Sequence, residues 1–263
     1  MECEIENTSK NNERIIEVSN LKVQYGDRVI LENINFDVKK GEVFVIVGGS
    51  GCGKSTLLRQ LIGLEIPTEG TIIIDGENLT EANEEKAVAI MRKNGVLFQF
   101  NGLFASMTLE ENIALILEKY TDLTPKQIKD AINLKLSLVG LSGFQNYKPA
   151  EISGGMKKRA ALARAMALDP AILFFDEPNS GLDPLTSASL DNLIKELNAA
   201  LNTTMVIVTH DLASILSISH RIIMLDSSVR GILASGTPDE LRHNEKNEIV
   251  YRFFNRLLEQ ATG

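Results

Sequence analysis

The run Gly48-Gly49-Ser50-Gly51-Cys52-Gly53-Lys54-Ser55-Thr56 places backbone freedom, a cation and hydroxyls in one short stretch. It satisfies GxxxxGK[ST], a pattern that cradles phosphate when it follows a strand and opens a helix. Glycines let successive N–H groups curl around phosphate oxygens. The helix N-terminus adds unpaired donors and a favourable dipole. Lys54 then brings a point charge to the β- and γ-phosphates, and the Ser55 hydroxyl is placed to ligate Mg²⁺. A second constellation is Ile172-Leu173-Phe174-Phe175-Asp176-Glu177, four apolar residues followed by two acids. Burial of such a strand puts both carboxylates at its C-terminal end, where ligand sites of α/β folds lie. Asp176 is the candidate to hold Mg²⁺ through water, and Glu177 the candidate to polarise the attacking water. By itself the pair is an ordinary strand end; a phosphate loop in the same chain gives it chemistry.

These groups need elements to position them. Three β-type segments come first: IIEVSNLKVQYG, VILENINFDV and EVFVIVG. The third is a short apolar run ending in glycines, the pattern of a buried parallel strand feeding a helix, here residues 55–64. TIIIDG reads as another short strand with a turn. From Asn101 to about Lys148 the pattern is helical. Thr108 with Glu111, and Thr124-Pro125 with Gln127, have the spacing of capping boxes. After Ser153 the α/β pattern returns: AILFF and MVIVT read as core strands, and Asp183-Pro184 opens a helix reaching about Leu201. RIIMLD and ILASG form an expected hairpin, and Thr237-Pro238-Asp239-Glu240 caps one more helix. Residues 1–13 read as a flexible tail.

The composition narrows the possible partners. The chain has 263 residues, 44% hydrophobic and 24% charged, enough for one large domain with a sizeable core. Its net charge of -8 argues against a nucleic-acid partner, whose phosphates require Lys/Arg clusters. Cys3 in a polar tail and Cys52 in the glycine-rich loop do not read as a structural disulfide, which fits a reducing compartment. No secretory signal is visible, and no apolar run approaches the ~18 residues of a spanning helix. If the protein works at a membrane, another chain crosses it.

The motif that joins these observations is Ile152-Ser153-Gly154-Gly155-Met156-Lys157-Lys158-Arg159. It resembles the LSGGQ signature of ABC ATPases, shortly before the Asp-Glu strand. Other elements of that family follow its order: Tyr25 at the aromatic position that stacks on adenine, Gln99 at the Q-loop, Ser180-Gly181-Leu182-Asp183 at the D-loop and His210 at the switch histidine. The resemblance covers roughly residues 15–240. It implies an α/β P-loop NTPase (RecA-like) core with an antiparallel β subdomain and a helical ABC-specific subdomain at about 101–160. The ATPase domain is then 14–243, with a C-terminal extension at 244–263. It also implies ATP and Mg²⁺, with Ser55, Gln99 and Asp176 toward the metal and Lys54, Glu177 and His210 in catalysis. Two copies sandwich each ATP, so Ser153, Gly154 and Gly155 serve the site of the second copy. Met156 departs from the usual glutamine; its thioether accepts only weakly where an amide donates and accepts.

The longer stretches SGGMKKRAALARAMALDP and NGLFASMTLEENIA are similar to the ATPase of Mla/Mce lipid transporters, once described as toluene-tolerance proteins. That likeness implies a transmembrane permease, a small STAS-domain regulator and a peripheral place on the cytoplasmic face of the bacterial inner membrane. Phe100, Leu103, Phe104 and Met107 are the apolar residues expected to meet a permease helix. The competing readings are an importer ATPase for a small polar solute such as an amino acid, a soluble ABC protein of repair or translation, and a non-catalytic cassette. The soluble ABC proteins usually have two cassettes or a coiled-coil insert, and intact Lys54, Asp176, Glu177 and His210 oppose the last. Two further expectations concern details. Cys52, beside Lys54 at a helix N-terminus, is expected to be either a reactive thiolate shielded by ATP or a small buried space-filler. Ile249, Val250, Phe253, Phe254, Leu257 and Leu258 occupy one half of a helical circumference, with Arg252, Asn255 and Glu259 opposite. Such a helix either packs on its own domain or docks on a second subunit or regulatory partner.

Overall fold

The computed structural model describes residues 13–257. Of the expected features, the tail up to residue 12, together with Leu258 and Glu259, lies outside the described residues. The chain divides into two compact units, residues up to Ala82 with those from Val208 onward, and Asn83–Ile207.

The first unit opens with the long strands β1 (Arg14–Tyr25) and β2 (Arg28–Lys39), paired antiparallel. β3 (Val43–Gly48) is buried at every residue and leads into α1 (Lys54–Leu61). A run of Val, Phe and Ile with no polar alternation suits a strand covered on both faces. β4 (Glu69–Ile74) and β5 (Glu77–Asn78) complete an antiparallel sheet in the order β2-β1-β4-β5.

The second unit begins with α2 (Glu84–Arg92) and β6 (Asn94–Leu97). It continues with α3 (Leu109–Tyr120) and α4 (Pro125–Leu138), each opened by the capping box read from sequence, at Thr108/Glu111 and Thr124/Gln127. α5 (Gly154–Ala165), β7 (Ile172–Asp176), α6 (Pro184–Leu201) and β8 (Thr204–Val208) follow. β6 and β7 pair in parallel, with β8 on the other side of β7. α2 and β6 are elements that the sequence reading passes over. α2 is short and buries only Ile90, so its periodicity is faint; its one clear mark is the Asn83 cap, which accepts from the Lys86 N–H.

The chain returns to the first unit with α7 (Leu212–Ile218), β9 (Arg221–Asp226) and β10 (Gly231–Gly236). β9 runs parallel to β3 and pairs antiparallel with β10, the expected hairpin. α8 (Pro238–Arg242) carries the Thr237/Glu240 capping box, and α9 (Glu248–Asn255) follows. Val250 and Phe254 of α9 are buried, while Ile249 and Leu257 are exposed. α9 stops at Arg256, whose φ of 54° is left-handed, and Asn255 Nδ2 donates to the Arg242 carbonyl at 2.9 Å. The apolar half-face expected of this segment is therefore split between an inward pair and an outward pair. Among the described residues no helix is long and apolar enough to cross a membrane.

Candidate nucleotide site

In the first unit the glycine-rich loop leaves β3 at Gly48, whose φ is 145°. A Cβ there would lie 2.3 Å from the Leu225 carbonyl oxygen and 2.6 Å from Cys52 Sγ, so any larger residue collides with the neighbouring strand. Gly53 closes the loop at φ 104°, where a Cβ would come within 2.7 Å of Leu31. Only glycine meets both the dihedral and the close approach. Gly49, Ser50 and Gly51 between them are exposed.

α1 begins without a side-chain cap and has no acid in its first turn. Its leading N–H groups therefore face outward with a positive dipole end, an arrangement suited to an anion. Ser55 is exposed and Thr56 half-buried in that turn. Lys54 Nζ donates to the carbonyls of Gly48 and Gly49, at 2.9 Å each, and so bridges the mouth of its own loop. The Cys52 thiol packs beside Gly48, with its Sγ 4.0 Å from Lys54 Nζ. It is only 3% exposed, and burial raises its thiol pKa against the lowering effect of Lys54. Of the two expectations, the space-filling one describes the thiol; the reactive thiolate is corrected, because desolvation outweighs the nearby cation. Iodoacetamide should therefore label Cys52 slowly, and at similar rates with and without Mg-ATP. Peptide mass spectrometry measures this, and fast labelling suppressed by nucleotide would contradict the packing.

Tyr25 ends β1 with its side chain 48% exposed. Its hydroxyl donates to Glu65, which also accepts from Arg59 Nη1 at 3.3 Å and Gln60 Nε2 at 3.1 Å. The hydrogen bond to Glu65 raises the phenol pKa. Tyr25, Gly51 and Cys52 share a concavity of about 610 Å³ with Arg28, Ile30 and Arg230. The cleft thus has one aromatic face, two arginines, the Asp27 carboxylate and the edge of the glycine loop. His210, also in this unit, is exposed just before α7, which Asp211 caps.

The second unit holds the remaining candidates. β7 is buried through Phe175 and delivers Asp176 and Glu177 at its end, both half-buried. Glu177 has φ 47°, a left-handed conformation that is uncommon outside glycine and clusters at functional sites. Gln99 Nε2 donates to Ser180 Oγ at 3.3 Å, which joins the loop after β6 to the turn after β7. Asp183 caps α6, accepting from the Leu185 and Thr186 N–H groups at 3.0 Å each. Those bonds and the Thr186 hydroxyl lower its pKa. Ser153 caps α5 by accepting from the Met156 N–H at 3.3 Å, with Gly154 exposed. A Cβ on Gly155 would lie 2.5 Å from Thr186 Cγ2, so glycine lets α5 approach the start of α6. Phe100 is 88% exposed, Phe104 is exposed, and Leu103 and Met107 are half-buried.

One residue in this unit escaped the sequence reading. Lys158 is buried, and its Nζ donates to the Gln99 carbonyl at 2.7 Å. The available signal was its place three and four residues before the buried Ala161 and Leu162 on one helix face.

A phosphate loop ahead of an uncapped helix and an acid pair at the end of a buried strand define a class of nucleotide-dependent ATPases. The family model described as "ABC transporter" matches residues 31–180, and the chain belongs to that family. It is 40% identical over 240 residues to the intermembrane phospholipid transport system ATP-binding protein MlaF of Haemophilus influenzae, covering 91% of this chain and 90% of that one. It is 42% identical over 240 residues to the probable ribonucleotide transport ATP-binding protein mkl of Mycobacterium leprae, covering 91% and 68% of the two. Among solved structures it resembles a dimeric post-hydrolysis state of the ATP-binding cassette MJ0796 bound to ADP and Pi. The TM-score is 0.75 and the identity 30%, over 84% of this chain and 98% of that one.

Proposed function

We propose that this chain is the ATP-hydrolysing subunit of an ABC transporter that moves phospholipid or another lipid across the bacterial envelope. The observation that carries the reading is the 40% identity to a phospholipid transport ATP-binding protein over nearly the whole of both chains. In this reading the first unit binds the nucleotide. Tyr25 stacks on the adenine, the N–H groups from Gly48 to Thr56 surround the phosphates, and Lys54 shifts its ammonium from loop carbonyls to phosphate oxygens. His210 contacts the γ-phosphate. From the second unit, Glu177 accepts a proton from the attacking water, and Gln99 and Asp176 serve the metal.

Ser55, Gln99 and Asp176 offer hydroxyl, amide and carboxylate oxygens, hard donors of the kind Mg²⁺ prefers. Among the described residues no cluster of three His, Cys, Asp or Glu side chains could hold a metal. When bound, Mg²⁺ neutralises charge on the transferring phosphoryl group.

Ser153, Gly154 and Gly155 act in trans, so the working form is a pair of these chains, as in the dimeric cassette it resembles. The expected result is an ATPase rate per chain that rises with protein concentration and reaches a plateau once pairs form. Turnover by a strictly monomeric sample at the plateau rate would refute the shared site. The further partners in this reading are a transmembrane permease, met by the exposed Phe100 and Phe104, and a small STAS-domain regulator. They place the chain on the cytoplasmic face of the inner membrane. The relative named for ribonucleotide transport keeps a polar-solute reading in play. Reconstitution with the co-purified permease separates the two: ATP-driven transfer of labelled phospholipid supports the lipid reading, and transfer of a polar solute alone overturns it.

A further inference from the structure

Lys158 lies on α5, the helix that Ser153 opens, yet its side chain is only 3% exposed. Burying an ammonium is costly unless it is paired and hydrogen-bonded. If packing were the only demand, an unbranched apolar side chain of similar length would serve better. The contacts of this ammonium show a different use. Its Nζ donates to the Gln99 carbonyl at 2.7 Å. Burial lowers its pKa, and the charges of Asp176 and Glu177 oppose that shift.

The loop after β6 is tied to α5 at a second point, where Arg164 Nη1 donates to the Gly102 carbonyl at 2.8 Å. Between these ties Asn101 turns the chain at φ 67°. The Gln99 side chain reaches Ser180 Oγ at 3.3 Å. Lys158 thus joins the signature helix to the Gln99 loop.

We propose that Lys158 is a positioning residue for phosphoryl transfer: its ammonium fixes the Gln99 backbone, and with it the Gln99 side chain, to the signature helix. The role in catalysis rests on the ATPase reading above; the pinning of the loop does not. Through α5, the pin also joins the Gln99 loop of one site to the Ser153 end offered to the other.

The test compares the full-length chain with K158M and K158R by hydrogen exchange, thermal unfolding and steady-state ATPase. K158M should unfold no lower than the parent, because it replaces a buried charge with an apolar chain. Exchange of the amides around Gln99–Gly102 should rise about tenfold or more as the loop opens locally. Its kcat should fall about tenfold or more while the KM for ATP stays within about twofold, the pattern of lost transition-state positioning. K158R keeps a cation and a donor, and should recover both the exchange protection and most of the rate. Unchanged exchange in K158M would overturn the pin, whatever the activity. Unchanged kcat, or a kcat loss matched by a lower unfolding temperature, would overturn the catalytic role. Absence of ATP hydrolysis by the parent chain would count against the ATPase reading, and exchange would still decide the pin.

Discussion

Glu177→Gln should bind ATP and hold it while turnover falls about 10²- to 10⁴-fold, the range of a lost general base. The buried run of β7 fixes where the residue stands, and its left-handed φ of 47° sets the direction in which the carboxylate leaves the strand. Glutamine keeps the size and an acceptor oxygen but cannot take a proton from water. That loss does not touch the phosphate loop, so nucleotide affinity should stay near that of the parent. In the shared-site reading the paired form should also persist, because the ATP that bridges the two chains is not hydrolysed. Single-turnover hydrolysis, nucleotide retention on gel filtration and the oligomeric state in Mg-ATP measure these separately. Repeated turnover at close to the parent rate would assign the base to another residue.

Lys54→Ala should act earlier, on binding. The ammonium lies within 2.9 Å of two carbonyls of its own loop, positioned at the loop mouth. Hydrogen bonds from a charged group are worth about 1.5–3 kcal/mol each. Losing one of them to a phosphate oxygen weakens ATP roughly tenfold to a hundredfold, at 1.4 kcal/mol per factor of ten. The loop itself should survive, because Gly48, Gly53 and the inward Cys52 shape it independently of the lysine. Titration with a fluorescent ATP analogue checks the affinity, and thermal unfolding without nucleotide checks the fold. An affinity within about twofold of the parent would remove Lys54 from the phosphate contacts. The two variants fail at different steps, so together they separate binding from chemistry.

The sequence alone determined the features that depend on neighbours along the chain. A glycine-rich turn before Lys54-Ser55 follows from backbone freedom and helix polarity, both local properties. The capping boxes at Thr108, Thr124 and Thr237 close within one turn, so their residue types suffice. Unbroken apolar runs such as those in β3 and β7 announce strands buried on both faces. Motif order then supplied the family resemblance. Tertiary structure decided wherever one residue had two permissible orientations. Cys52 turns inward because Gly48 leaves room for its sulfur, which no spacing rule reveals. Lys157 and Lys158 are identical in type and adjacent, yet the helical rotation between them leaves one half-buried and sends the other to Gln99. Glu177 adopts a positive φ because the strand must end and redirect there. The apolar face of α9 is legible as a period, but which of its residues are covered depends on the surface beneath it. Periodicity fixes a face, and only the packing partner fixes what that face meets.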